Sequence, residues 1–174
     1  LSLGLVGSEM CIRDRVVPCV TGRDLLVASS TGRVLRLSVN DADLPVMGRT
    51  AQGPVLLRLL PGETVVGATC VAPDGSVLLA TALGRIKRLA VAELRVCQRG
   101  DLGQIGLRFL DRGDRLVDLQ GDGSAVLAVQ LSGAPSRSLR RLTADLVMEG
   151  PGEPGVDLKL PSGSTVLSLI PLNG

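Results

Sequence analysis

The chain reads Leu25-Leu-Val-Ala-Ser-Ser-Thr-Gly-Arg-Val-Leu-Arg-Leu37, and a variant of this stretch returns as Val77-Leu-Leu-Ala-Thr-Ala-Leu-Gly-Arg-Ile-Lys-Arg-Leu89. Each copy is an apolar run, a glycine turn and a second run that carries basic residues. A third and weaker copy begins at Ala125-Val-Leu-Ala-Val-Gln-Leu131. Repetition at a spacing of about 51 residues indicates an array of similar units, none of which buries its apolar face alone.

The first copy predicts strands near 25–29 and 33–37. Each copy continues through a polar loop into two further apolar runs. In the first copy these runs lie near 55–60 and 64–70, and Pro61-Gly62 between them predicts a hairpin turn. The second copy predicts strands near 76–81, 85–89, 105–110 and 115–119. We therefore predict an all-β, propeller-like fold with a fragment of about three four-stranded blades, approximately at residues 24–71, 76–121 and 124–170.

The composition argues against catalysis by this chain alone. Of its 174 residues, 45% are hydrophobic, but Phe109 is the only aromatic residue, and histidine, tyrosine and tryptophan are absent. The commonest general base is therefore missing, and so are the aromatic platforms that bind single-stranded nucleic acid. We expect no catalytic residue and no cofactor in this chain.

The sequence predicts neither a metal site nor a membrane span. Four aspartates at positions 111, 114, 118 and 122 lack the glycine and glutamate of a calcium loop. The four cysteines have no metal-ligand spacing, which predicts buried, reduced thiols. No apolar run approaches the roughly 18 residues that a span requires.

Residues 1–15 fit neither the repeat nor a secretory signal. Read as codons, Leu5-Val-Gly-Ser-Glu-Met-Cys-Ile-Arg-Asp-Arg15 resembles a translated transposase-type sequencing adapter. We expect this segment to be an artefact and the protein to enter the repeat array at residue 16, with its upstream part missing.

Basic residues recur at the same place in each copy and are the candidate binding residues. No acidic residue lies within the runs 33–37, 85–89 and 137–141, so we expect these cations to form an exposed basic stripe that suits the phosphates of duplex DNA. The alternative is a protein-interaction scaffold on which they are only solvated. The candidates are Arg33, Arg36, Arg49, Arg85, Lys87, Arg88, Arg99, Arg137, Arg140 and Arg141.

The loop Met47-Gly-Arg-Thr-Ala-Gln-Gly53, the run that follows it and the preceding Gly32-Arg-Val-Leu-Arg36 strand resemble the repeat of the C-terminal domain of bacterial type II topoisomerase A subunits. That family comprises DNA gyrase and topoisomerase IV. The resemblance implies a β-pinwheel of about six blades with exchanged strands, whose basic perimeter bends duplex DNA. It maps Arg33, Arg36, Arg85, Lys87 and Arg88 onto the DNA-facing strands.

The resemblance also implies partners and a place of action. The active-site tyrosine would lie in an upstream domain, ATP hydrolysis would belong to a partner B subunit, and the parent enzyme would act in the cytoplasm at the nucleoid. The gyrase box is poorly matched, because its nearest string, Gln98-Arg-Gly-Asp-Leu-Gly103, introduces Asp101. Gyrase, topoisomerase IV and a divergent paralogue all stay open at this point.

Overall fold

The computed structural model describes residues 2–3, 17–48, 50–132 and 137–172. These residues form antiparallel strands and two short 3-10 turns, which confirms the all-β prediction. The expected adapter segment lies almost wholly outside them. The strands are β1 (Ser2–Leu3), β2 (Val17–Pro18), β3 (Asp24–Ser29), β4 (Arg33–Ser38), β5 (Val65–Val71), β6 (Ser76–Thr81), β7 (Arg85–Ala90), β8 (Gln104–Ile105), β9 (Leu116–Gly121), β10 (Val126–Leu131), β11 (Arg137–Leu142), β12 (Val156–Asp157) and β13 (Val166–Leu172); the 3-10 turns are Val91–Glu93 and Thr143–Asp145.

Three sheets follow one another along the chain. Their strand orders are β5-β3-β4-β8, β9-β6-β7-β12 and β13-β10-β11, and β1 pairs separately with β2. In the first two sheets the last strand comes from the next repeat, since β8 pairs with β4 and β12 pairs with β7. Each of these two sheets is therefore completed by its successor, so that neighbouring repeats exchange strands.

One edge of each sheet faces the other sheets, and the opposite edge faces outward. Strand β9 lies against both β5 and β13, so these three strands form an inner edge. We call the opposite side, formed by β4, β7 and β11 together with the donated strands, the outer edge. Any side chain on β8 or β12 therefore belongs to the outer perimeter.

The apolar runs are nearly continuous because the central strands are buried on both faces. In β3, Leu26 and Ala28 enter a core shared with the second sheet, while Leu25 and Val27 enter a core on the other side. The second sheet repeats this arrangement and shares its other core with the third sheet, where Val129 is fully buried. Alternate side chains of a strand point to opposite faces, so a strand between two cores needs no polar alternation.

Two of the predicted strands are wrong. Residues 55–60 contain only an isolated bridge at Leu57, and within 105–110 only Ile105 is extended, as the end of the two-residue β8. The turn at Gly62 exists, with φ at 79°, but the segment before it does not pair with β5. Its counterpart in the second repeat lies on the preceding sheet instead, which a hairpin prediction cannot anticipate.

Glycine allows the donated segments to approach the preceding sheet closely. Gly103 and Gly155 both have positive φ, at 71° and 78°. A Cβ on Gly103 would lie 2.6 Å from the carbonyl oxygen of Val34, and one on Gly155 would lie 2.7 Å from that of Ile86. Because no other residue fits this approach without strain, the glycine at this place in the repeat fixes where the exchange begins.

Candidate nucleic-acid interface

Arg33 on β4 binds a carboxylate and does not face solvent. Its guanidinium forms an ion pair with Glu63, whose side chain is fully buried, and it also donates to the carbonyl oxygens of Leu102 and Arg58. Burial tends to raise the pKa of Glu63, but hydrogen bonds from Arg33, the Leu60 amide and two hydroxyls outweigh it and lower the pKa to about 2. Arg33 thus ties the first sheet to a loop of the second repeat.

Arg36 forms a second set of hydrogen bonds between the first two repeats. Its Nε atom donates to Asp24 at 2.7 Å, and its Nη1 atom donates to the carbonyl oxygens of Val91 and Leu94, each at 2.8 Å. These carbonyls belong to the 3-10 turn after β7 and the residue that follows it. The guanidinium therefore holds the beginning of the loop that later donates β8.

Lys87 on β7 is buried, with 1% of its surface exposed. Its ammonium donates to three carbonyl oxygens, those of Gly106, Gly150 and Glu153. Burial lowers the pKa of Lys87, and the nearby glutamates offset this only in part. Lys87 is the point where segments of the second and third repeats meet.

Arg88 and Arg85, also on β7, are partly buried. Arg88 donates to Ser76 and forms an ion pair of 2.7 Å with Asp122, and Arg85 donates to the carbonyl oxygen of Gly155 at 3.0 Å. Burial acts to raise the pKa of Asp122, but hydrogen bonds from Ser76 and Arg88 hold it below its usual value. Both arginines are therefore engaged within the molecule.

The expectation of an exposed basic stripe along these strands is therefore wrong for Arg33, Arg36, Lys87 and Arg88. The acceptors come from elsewhere in the chain: Glu63 lies 30 residues beyond Arg33, and Asp24 lies 12 residues before Arg36. The absence of acids within a strand does not predict that its cations are exposed, because their hydrogen-bond acceptors lie on adjacent strands and donated loops. These side chains form ion pairs and hydrogen bonds that hold the chain together within and between repeats.

The remaining candidates have different surroundings. Arg99, Arg137 and Arg140 are exposed and Arg141 is half-buried, while Arg49 lies outside the described residues. Arg137 and Arg140 stand on β11 at the places that Arg33 and Arg36 occupy on β4. In the other two sheets these places are covered by a donated segment, so their exposure reflects the three-stranded state of the third sheet within the described residues.

A row of exposed cations, one in each repeat and next to the segments that form the outer edge, was not identified from the sequence. Arg58, Arg108 and Lys159 follow the apolar residues Leu57, Leu107 and Leu158, which are buried in successive cores. All three cations are exposed. Their equivalent places in the three repeats were the signal that could have found them.

Arg99 lies beside this row, where the loop 95–105 crosses from the second repeat onto the first; we call this crossing the first junction. The Gly100 amide donates to the Leu56 carbonyl at 2.8 Å, and the Arg58 amide donates to the Asp101 carbonyl at 3.0 Å. These backbone contacts bring Arg99 alongside Arg58. The carboxylate of Asp101 forms an ion pair of 3.1 Å with the exposed Arg95.

At the second junction, the loop 147–157 crosses from the third repeat onto the second. Its backbone contacts resemble those of the first junction, but its charged residues differ. The Gly152 amide donates to the Gly106 carbonyl at 3.2 Å, which repeats the contact of Gly100 with Leu56. Pro151 takes the place of Arg99, and the exposed Glu153 follows it. The outer edge is therefore more basic at the first junction than at the second.

The cysteines and acids add no second site among the described residues. Cys19, Cys70 and Cys97 are free thiols, and burial, followed by the neighbouring Cys70, raises the pKa of Cys19 to about 12. In the described ranges no group of three potential metal ligands is brought together. Among those same residues no helix is long and apolar enough to cross a membrane.

Comparison with known proteins points to one family. The family model described as "DNA gyrase C-terminal domain, beta-propeller" matches residues 23–72 and 75–120. The A subunit of DNA topoisomerase 4 from Synechocystis sp. is 35% identical over 98 residues, which is 56% of this chain and 11% of that protein. The DNA gyrase A subunit of Mycobacterium tuberculosis is 31% identical over 143 residues, which is 79% of this chain and 17% of that protein.

Solved structures agree on the fold. The C-terminal domain of DNA topoisomerase IV superposes with a TM-score of 0.75 at 18% identity, over 86% of this chain and 46% of that one. The E. coli ParC C-terminal domain superposes with a TM-score of 0.64 at 20% identity, over 87% of this chain and 63% of that one. The β-pinwheel architecture is thereby confirmed, and the chain spans only a small part of the curated relatives it matches.

Proposed function

Because this chain belongs to the family of DNA gyrase C-terminal β-propeller domains, we propose that it binds duplex DNA without sequence preference along its outer edge and bends or wraps it. It does so as part of the A subunit of a type II topoisomerase. The parent enzyme, together with an ATP-hydrolysing B subunit, uses the bent DNA to control topology at the nucleoid, in the cytoplasm. Strand cleavage belongs to another part of that enzyme.

The observation that carries this proposal is the row of exposed cations next to the outer edge. Arg58, Arg108 and Lys159 recur once per repeat, and Arg99 joins them at the first junction. Arginine offers several donors in a fixed geometry to phosphate oxygens, and a duplex held by its backbone needs no base-reading side chain. The arginines and the lysine that form these internal contacts shape this edge but do not contact the DNA.

Salt dependence of binding tests the proposal on the whole chain. Four phosphate contacts give a slope of log affinity against log salt of about −3.6, from about −0.9 per contact on B-DNA. The double variant Arg58→Gln/Arg99→Gln should reduce the magnitude of that slope by about 2, again from the per-contact value. Circularisation of short duplexes reports the bending.

A matched control removes two exposed arginines from the inner side. Arg23 lines a cavity with residues of β5 and β9, and Arg115 immediately precedes β9. Arg23→Gln/Arg115→Gln should leave the slope unchanged. A slope near zero for the unaltered chain, or equal loss in both pairs, contradicts the proposal and favours the protein-interaction scaffold.

A further inference from the structure

We propose that two copies of this chain associate head to tail, each giving residues 46–55 of its first repeat to the free edge of β11 in the other copy. The three sheets of each chain then form one ring of six, which lies within the usual four to eight blades of propellers. This association goes beyond the proposed function and does not require DNA.

The first repeat contains a counterpart of the segments that the other two repeats donate. Each repeat has a buried leucine followed nine residues later by a glycine, and the three pairs are Leu44 and Gly53, Leu94 and Gly103, and Leu146 and Gly155. In the second and third repeats the chain between them crosses onto the preceding sheet. In the first repeat no described residue of 46–55 pairs with a strand, and Val46, Met47 and Val55 are exposed.

Gly53 indicates that this segment is suited to the same exchange. At Gly103 and Gly155 a close approach to a carbonyl oxygen of the preceding sheet requires glycine. A Cβ at Gly53 would meet nothing within 4 Å, and the φ of Gly53 is not positive. Its own surroundings therefore do not explain the glycine, whereas pairing with a strand edge like that of β4 or β7 does.

The third sheet has the matching free edge. Among the described residues β11 pairs only with β10, whereas β4 and β7 each pair with a donated strand on their other side. The carbonyl oxygens of Arg36 on β4 and Arg88 on β7 accept amides of the donated segments at 2.8 and 3.0 Å. Arg140 takes the same place on β11 and is exposed, so its carbonyl points to the free edge.

The donor segment and the free edge belong to opposite ends of the array. The first and second sheets share one core and the second and third sheets share another, and among the described residues no core joins the first sheet to the third. The two ends therefore pair between copies. When two copies exchange segments in both directions, every donor and every edge is used, whereas a single exchange would leave free ends and extend into a filament.

The contact between copies is weaker than the junctions within a chain. On the free face of the third sheet Gln130 takes the place of the buried Ala28 of the first sheet, although Leu142 and Ile170 on the same face are exposed and apolar. Pro54 in the donor segment has no amide hydrogen to give to the strand edge. We therefore expect a reversible dimer whose amount depends on protein concentration.

Sedimentation velocity of the whole chain over a range of concentrations tests the association. We expect monomer and dimer in equilibrium and no larger species. Gly53→Ala should weaken the dimer by about tenfold or more, because its Cβ would meet a carbonyl oxygen of the other copy as one at Gly103 would meet that of Val34. The matched control is Gly48→Ala, which should dimerise as the unaltered chain does, because Gly48 also lies in open space and stands at the place of Gln98.

Mixing two variants distinguishes this exchange from other self-association. Ser138→Pro removes a backbone amide from the free edge of β11, where an edge strand tolerates proline, and should also prevent dimers. Mixed with Gly53→Ala it should restore a mixed dimer in native mass spectrometry, because one variant keeps the donor segment and the other keeps the edge. A chain that stays monomeric at every concentration, dimers that survive Gly53→Ala, or the absence of a mixed dimer would each overturn the inference.

Discussion

The two junctions share a backbone path and differ in the chemistry that holds it. At the first junction Arg33 is neutralised by Glu63, and Leu35, near the centre of β4, is fully buried. At the second junction the place of Leu35 is taken by Lys87, which binds carbonyl oxygens in place of a carboxylate. The geometry of strand exchange is thus set by the repeat, while the side chains that secure it vary.

The carboxylates of the two junctions differ in the same way. Asp114 stands at the place of Glu63, and its Oδ1 accepts amides from Leu83 and Arg115. Within the described part of the chain its buried Oδ2 has no hydrogen-bond partner. A shared backbone path therefore does not require a matching ion pair, because backbone carbonyls can satisfy the cation instead.

The largest effect should come from breaking the ion pair of the first junction. Glu63→Gln leaves Arg33 without a counter-charge in a buried place, which costs about 3–5 kcal/mol of unfolding free energy. Urea unfolding measures it. Asp114→Asn is the matched change at the second junction and should cost less than about 1 kcal/mol, because no ion pair is broken there, so equal losses would contradict the comparison.

Acid should reveal the same difference. The pKa of Glu63 is lowered from 4.5 to about 2, so its stabilisation is complete above pH 4.5 and is lost as pH falls toward 2. The shift corresponds to about 3 kcal/mol. Thermal unfolding measured between these pH values should show this loss of stability in the unaltered chain and in Asp114→Asn. Glu63→Gln should lack this component of the dependence of stability on pH.

Lys87→Leu would give the second junction the residue of the first. We expect a loss of about 2 kcal/mol, because three carbonyl oxygens lose a charged donor and the relief of a desolvated ammonium offsets only part of this. Leu35→Met is the matched control and should cost less than about 1.5 kcal/mol. A more stable Lys87→Leu chain in chemical denaturation would mean that desolvation outweighs the three hydrogen bonds.

The smallest effect concerns DNA. Glu153 is exposed at the second junction, so Glu153→Gln should raise duplex affinity by about twofold at low salt, with the gain vanishing as salt screens the charge. Fluorescence anisotropy is sensitive enough to detect it. Asp74→Asn, an exposed change at the turn between β5 and β6, should have no effect, and an equal gain there would show that only net charge matters.

The sequence predicts the strands whose partners are close in the chain. Strand β6 lies where it was predicted, and β3, β4 and β7 agree to within one residue at either end, because an apolar run, a glycine turn and a second run define a hairpin locally. The runs near 64–70 and 115–119 likewise form β5 and β9 in their own repeats, whereas the run near 105–110 lies against the preceding repeat. Which sheet a segment joins depends on contacts across about 70 residues, such as that between Arg33 and Leu102, and one sequence does not display them.

The candidate site was predicted in part for the same reason. Residue type and periodicity located the basic positions, but exposure depends on acceptors brought in by strand exchange. Arg33, Arg36, Lys87 and Arg88 were assigned to DNA because no acid lies near them in their strands. Arg58, Arg108 and Lys159 were visible as a repeated place, yet their exposure follows from the buried leucine before each of them.

Backward donation of β8 and β12 has a consequence for how such a chain can lengthen. A repeat of this kind both gives a segment to its predecessor and offers an edge to its successor. A tandem duplication in the gene inserts a unit that is compatible with both neighbours, wherever the breakpoints fall within the period. Deletion of part of a repeat, in contrast, leaves a donated segment without the sheet edge that it pairs with. Insertion and deletion of whole repeats are therefore the tolerated changes.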